Sequence, residues 1–139
     1  YVMSMARVKE ARDAAQSLLK LCKPVETEED VTTLAYWLQG AFDAFAMGNF
    51  PYPSSYINGD PEHPLPAWPM LAACAHMTQV TKMYPSDLMQ ALSRAAGLMY
   101  NASGTLQCFD IDPSGPAAGS TGPWDFQFCS EQMAQEEPY

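Results

Sequence analysis

The chain has 139 residues, 47% of them hydrophobic and 12% aromatic, which suits one domain with one modest core and excludes a disordered segment. Sixteen acidic residues against seven basic ones give a net charge of −9. That balance argues against nucleic acid or an anionic membrane as partner, and it fits either simple solubility or work at acid pH, where part of the self-repulsion is neutralised. No apolar run is long enough to predict a membrane span. The start at Tyr1 and the close at Glu136-Glu137-Pro138-Tyr139 lead us to expect a piece of a longer polypeptide.

In chain order, the spacing of Val8, Ala11, Ala15, Leu18 and Cys22 predicts a helix over about residues 3–22, ended by Lys23-Pro24. Thr27 caps a second helix whose first turn holds Glu28, Glu29 and Asp30, where acids favour the dipole. Its stripe is Val31, Leu34, Leu38, Phe42 and Phe45, with Ala35 and Ala41 alongside, and Gly48-Asn49 predicts a left-handed stop. Next come Asn49-Phe50-Pro51-Tyr52-Pro53 and Pro64-Leu65-Pro66-Ala67-Trp68-Pro69. Proline fixes φ and removes a donor, so residues 50–66 read as a stiff strap between helices. Tyr52, Tyr56 and Trp68 make that strap a candidate pocket wall.

Pro69 suits the first turn of a third helix carrying Leu71, Ala72, Ala75 and Val80, which Tyr84-Pro85 breaks. Ser86 is the expected cap of a fourth helix, with Leu88, Leu92, Ala95 and Met99 on its buried face and Gly104 beyond its end. Residues 110–123 read as loop, and 124–136 as a last short helix. Nothing alternates over enough residues to make a sheet. The expected fold is all-α, a small disulfide-linked bundle of four or five helices.

Four cysteines, Cys22, Cys74, Cys108 and Cys129, allow three pairings. None forms a Cys-x-x-Cys pair, so a zinc site is not expected, and wide spacing favours two disulfides in an oxidising compartment. Asn101-Ala102-Ser103 is a glycosylation acceptor that agrees with a secretory or lysosomal route. Of the two histidines, His63 is expected to be solvated and His76 to sit on a helix face against the core. A Gly-x-Ser-x-Gly nucleophile elbow is missing from this chain. No catalytic residue, cofactor or metal is expected in it.

The order Ala46-Met47, Phe50-Pro51-Tyr52-Pro53, Pro64 to Pro69, Cys74, Tyr100-Asn101-Ala102-Ser103-Gly104, Cys108 and Trp124-Asp125-Phe126-Gln127-Phe128-Cys129-Ser130-Glu131 resembles the inserted helical domain of a proline-specific serine peptidase family. That family holds dipeptidyl peptidase II and lysosomal prolylcarboxypeptidase. The likeness runs from about Leu18 to Glu131. Residues 57–63, before Pro64, are longer than the family pattern.

The resemblance implies that residues 1–139 are a cap on an α/β-hydrolase core, with the Ser, Asp and His triad outside this chain. It implies the pairings Cys22–Cys108 and Cys74–Cys129. It makes Asp125, beside Trp124, a carboxylate for the free amine of a substrate, although Asp125 also fits a helix cap. Met47, Tyr52 and Trp68 would line the substrate channel. Asp125 tilts the expectation towards a dipeptidyl peptidase releasing Xaa-Pro or Xaa-Ala dipeptides. The alternative is a carboxypeptidase cutting after proline, with a cationic clamp for the substrate carboxylate lying elsewhere. Expected partners are a peptide with proline near its end and the hydrolase domain of the same parent chain, with a homodimer also allowed. A reading from another class is a stand-alone secreted helical carrier of an apolar ligand.

Overall fold

The computed structural model describes residues 8–78 and 84–112. They form four helices, α1 (Lys9–Leu19), α2 (Glu28–Met47), α3 (Pro69–Thr78) and α4 (Pro85–Tyr100), with no strand among them beyond two isolated bridges. The all-α expectation is met. None of these helices is long and apolar enough to cross a membrane. α4 is the central element and packs against α1, α2 and α3.

α2 is the helix most fully written in local sequence. The Thr27 hydroxyl accepts from Asp30 N–H at 3.1 Å, and Asp30 Oδ2 accepts from Thr27 N–H at 2.8 Å, a reciprocal capping box. Those backbone hydrogen bonds, the one from Thr27 above all, hold the Asp30 carboxyl below its ordinary range. Val31, Leu34, Leu38, Ala41 and Phe45 are buried as the stripe predicts, with Phe42 half-buried beside them. Fully burying such side chains stabilises by about 1.5–3 kcal/mol each.

Four expectations need correction. α1 ends at Leu19, because Lys20 turns left-handed (φ 57°) and its N–H bonds back to Gln16 and Ser17 carbonyls. The chain leaves the helix there to pair with residue 109: Cys22 N–H donates to Phe109 O at 2.9 Å, and Phe109 N–H to Lys20 O at 2.7 Å. Gly48 ends α2 with φ −99°, not left-handed. A side chain is excluded there by contact instead, since a Cβ would lie 2.6 Å from Ile57 Cγ1.

The third correction concerns α3. It buries Pro69 and Ala73 and leaves Leu71 69% exposed. The helix is short and apolar at almost every position, so periodicity could not choose its face. The fourth is the start of α4, where Tyr84 is the N-cap residue and Pro85 the first helical one, so Ser86 lies inside the first turn. Ala95 is buried as expected, and Met89, Ala91, Ser93 and Ala96 are buried too, because α4 touches three neighbours. Val80 and the expected last helix lie outside the described residues.

Residues 50–68 form the strap. Ser54 and Leu65 exchange two backbone hydrogen bonds of 3.0 Å, closing residues 54–65 into a loop, and Leu65 plugs the core. Phe50 stacks on Tyr52 with ring centroids 5.5 Å apart and meets Tyr56 edge-on at 6.5 Å. Within the loop, Asn58 Nδ2 donates to His63 O at 2.8 Å, and Asp60 Oδ2 lies 2.9 Å from His63 Nδ1. The His63 side chain is 41% exposed, in keeping with the expected solvation, and is also partnered by the Asp60 carboxylate.

Candidate functional site

A cleft of about 710 Å³ runs along α4. Its floor is the stripe Gln90, Arg94, Leu98 and Asn101, with Ser93 and Gly97 beside it, as the helical period dictates. The last turn of α1 supplies Ser17, Leu18 and Lys20. Residues 106–109, with Pro64, Pro66 and His76, complete the lining. Pro64 and Pro66 bring the strap to this cleft, whereas Tyr52, Tyr56 and Trp68, the strap residues expected as a pocket wall, do not line it, and His76 faces this cleft and not the core.

The walls are held firmly. Cys22 and Cys108 are disulfide-bonded across 86 residues, as the resemblance implied. Ser93 is buried and its hydroxyl donates to Leu19 O at 3.1 Å, tying α4 to the end of α1. Tyr100 OH donates to Trp37 O at 2.9 Å, the two rings stack at 4.7 Å, and Phe109 packs on Trp37 at 5.1 Å. Burial pushes the Tyr100 hydroxyl above its ordinary range. Asn101 makes a two-point contact with the backbone of Leu106, at 2.9 and 3.2 Å. That contact ends α4 and fixes the turn into the cleft wall.

The charge of the cleft is the reverse of the chain's. Lys20, Arg94 and His76 line it, and among the described residues no Asp or Glu does. Elsewhere, Lys9 pairs with Asp13 at 2.7 Å, and Lys23 with Asp112 and Asp110 at 3.3 and 3.6 Å. Those two aspartates raise the Lys23 pKa, through the Asp112 hydrogen bond first. Among the described residues, neither Lys20 nor Arg94 has a carboxylate within salt-bridge distance. Sequence reading missed both. Neither carries a local signal, since Lys20 comes from the end of α1 and Arg94 from α4.

The expected channel residues lie on a second surface. Met47, Tyr52 and Trp68 are 68%, 57% and 47% exposed. Trp68 N–H donates to Phe50 O at 2.7 Å, so the start and end of the strap meet beside the last turn of α2. Trp68 is left-handed (φ 52°), a costly conformation for a bulky residue, and it leaves the indole half in solvent. Cys74 is exposed and bonded to no other described cysteine. Its expected partner Cys129, with Trp124 and Asp125, lies outside the described residues. No cluster of three metal-ligating side chains occurs among the described residues.

No protein-family model matches the chain. Individual relatives do. Human "Lysosomal Pro-X carboxypeptidase" is 31% identical over 113 residues, covering 81% of this chain and 21% of that protein. The mouse protein of the same name is 32% identical over 118 residues, 84% of this chain and 22% of its own. These relatives are prolyl peptidases. A Caenorhabditis elegans "Prolyl carboxy peptidase like protein 5" is 32% identical over 114 residues, 78% of this chain and 21% of the relative. The chain thus spans about a fifth of the length of the relatives it matches. The prolyl-peptidase resemblance holds at that level, whereas the tilt towards a dipeptidyl peptidase finds no support in these relatives.

Proposed function

We propose that this domain is the substrate-gating helical cap of a proline-specific serine exopeptidase, and that the parent enzyme is a carboxypeptidase releasing the residue after a proline. The observation that carries this is the match of about four-fifths of the chain to about a fifth of the Pro-X carboxypeptidases. A helical segment of that share suits an insertion that narrows an active site built by the rest of the polypeptide. The reading assigns the Ser, Asp and His triad to an α/β-hydrolase domain of the same parent chain.

The physical arrangement agrees with a gating role. Met47, Tyr52 and Trp68 each leave apolar or aromatic surface exposed, of the kind suited to a flat apolar proline ring. Strain such as that at Trp68 is kept where the surrounding structure over-determines it, and such places cluster at functional sites. The disulfide and the lysosomal description of the relatives support a lysosomal or secreted location, with a glycan on Asn101 as part of the same proposal. A stand-alone carrier has no relative in its favour here.

A dipeptidyl peptidase is the second reading, and the Trp124-Asp125 sequence alone favours it. The test uses the parent polypeptide at acid pH. Release of phenylalanine from an N-blocked peptide ending in Pro-Phe is expected, without cleavage of a Lys-Pro amide bearing a free N-terminus. Cleavage of the amide alone, abolished in Asp125→Asn with folding intact, would overturn the carboxypeptidase in favour of the dipeptidyl peptidase.

A further inference from the structure

We propose that the α4 cleft itself receives the free C-terminal carboxylate of the peptide substrate, with Arg94 as its ion partner and Lys20 as the second charge. This rests on the carboxypeptidase reading and moves the carboxylate clamp, expected elsewhere in the parent, into the cap. Charge distribution is the first argument. A net charge of −9 disfavours the approach of a carboxylate to this domain in general. Among the described residues, the α4 cleft is lined by Lys20, Arg94 and His76 and by no acidic side chain, a lining that favours an anion. Low-dielectric walls focus such a field.

Chemical fit is the second argument. A guanidinium offers a planar fork of N–H donors that matches a carboxylate bidentately, and its charge persists at every working pH. Gln90, one turn before Arg94, and Gln107 across the cleft supply neutral donors beside it.

Preorganisation is the third. Arg94 stands on a helix packed against three others. The backbone of Lys20 is fixed by its left-handed turn, by the Phe109 N–H bond at 2.7 Å and by the neighbouring Cys22–Cys108 link. Binding to a held site costs less ordering entropy than binding to a mobile one. From Gln90 to Asn101 the α4 axis rises about 16 Å, room for four or five extended residues at about 3.3 Å each. The cleft can hold a chain end and not just an ion.

The experiment compares the parent enzyme with Arg94→Gln, Lys20→Gln and Arg94→Lys, using a peptide ending in Pro-Phe as free acid and as C-terminal amide. Arg94→Gln should raise KM for the free acid at least tenfold with kcat changed less, and Lys20→Gln by a smaller factor. Both should erode the preference for acid over amide, and Arg94→Lys should restore part of it. Both cations are exposed, and Lys9→Gln on the outer face of α1 is the control for a general charge effect, expected to change nothing. Carboxypeptidase activity with an unaltered acid preference in Arg94→Gln would overturn this site and leave the proposed function standing. A parent that never releases the last residue would overturn both.

Discussion

The disulfide-clamped end of the domain and the proline strap both fix segments without regular structure, and they do so with interactions of different range. At the clamped end, Cys22–Cys108 and two backbone bonds join residues far apart in sequence. In the strap, the fastenings are shorter in range: the Ser54–Leu65 bridge, the Trp68–Phe50 backbone bond, side chains bonded within a few residues, and rings stacked on near neighbours, with Leu65 as its anchor in the core. The cleft is built where the two meet, with Lys20 and residues 106–109 from the first and Pro64 and Pro66 from the second. Long-range fastening therefore governs global stability, and local fastening governs the shape of one wall.

The sharpest way to break that comparison is to open the clamp. Replacing Cys22 and Cys108 by serine frees a loop of 86 residues and should remove about 4–5 kcal/mol in the chain-entropy picture. A fall in the denaturation midpoint, with a steeper slope because the unlinked unfolded chain exposes more surface, would report it. Loss of less than about 1 kcal/mol would mean that the backbone bonds between residues 20–22 and 109 hold the end unaided.

Gly48→Ala strikes the strap's start. Alanine is the better helix former by about 1 kcal/mol, so the change would stabilise an unencumbered helix end. Here the added Cβ meets Ile57 Cγ1 at 2.6 Å and Ala44 O at 3.2 Å. Displacing Ile57, which packs on the core, should cost about 1–3 kcal/mol and reverse the sign. A thermal melt decides it, and a rise in Tm would show that the strap yields without cost.

The same contrast of range decides what could be read from sequence. The α2 stripe and its Thr27 cap were legible because each partner lies within a turn or two, although Asp30 was read for its charge and not as the return half of a capping box. The strap was legible as stiff because proline acts on its own residue. The end of α1 was not, since Lys20 turns left-handed to meet Phe109, which no local rule connects to it. The face of α3 was hidden by its uniform apolarity. The cleft was hidden for the reason that hid the end of α1: its cations come from α1 and α4 and its prolines from the strap, and only tertiary packing brings them together.

Lys20→Gly separates stability from binding at the clamped end. Lys20 is exposed and left-handed, where glycine carries no Cβ penalty. The variant should gain about 0.5–1 kcal/mol, a few degrees in Tm, after allowing for the greater freedom of glycine in the unfolded chain. If Lys20 also attracts a substrate carboxylate, the more stable variant should bind that substrate more weakly. A gain in both would detach Lys20 from the cleft's function.

The smallest effect concerns acid and the strap. The Asp60 carboxyl is held below its ordinary range, first by the His63 ring hydrogen bond and then by the backbone N–H groups of His63 and Glu62. A depressed folded pKa contributes stability that is present above the unfolded carboxylate value, near 4, and is lost as pH falls through the lower folded value. Residues 58–63 should thus stay closed from pH 7 to 5 and loosen only below about 4. The Cys22–Phe109 pairing should stay protected throughout, because no titrating side chain forms it. Amide exchange at Glu62 and His63, compared with Cys22 and Phe109, reads both regions in one experiment. Asp60→Asn should abolish the acid dependence in the strap alone. Loosening of both regions together, or already between pH 7 and 5, would mean that the strap is held by the fold as a whole and not by its local carboxylate.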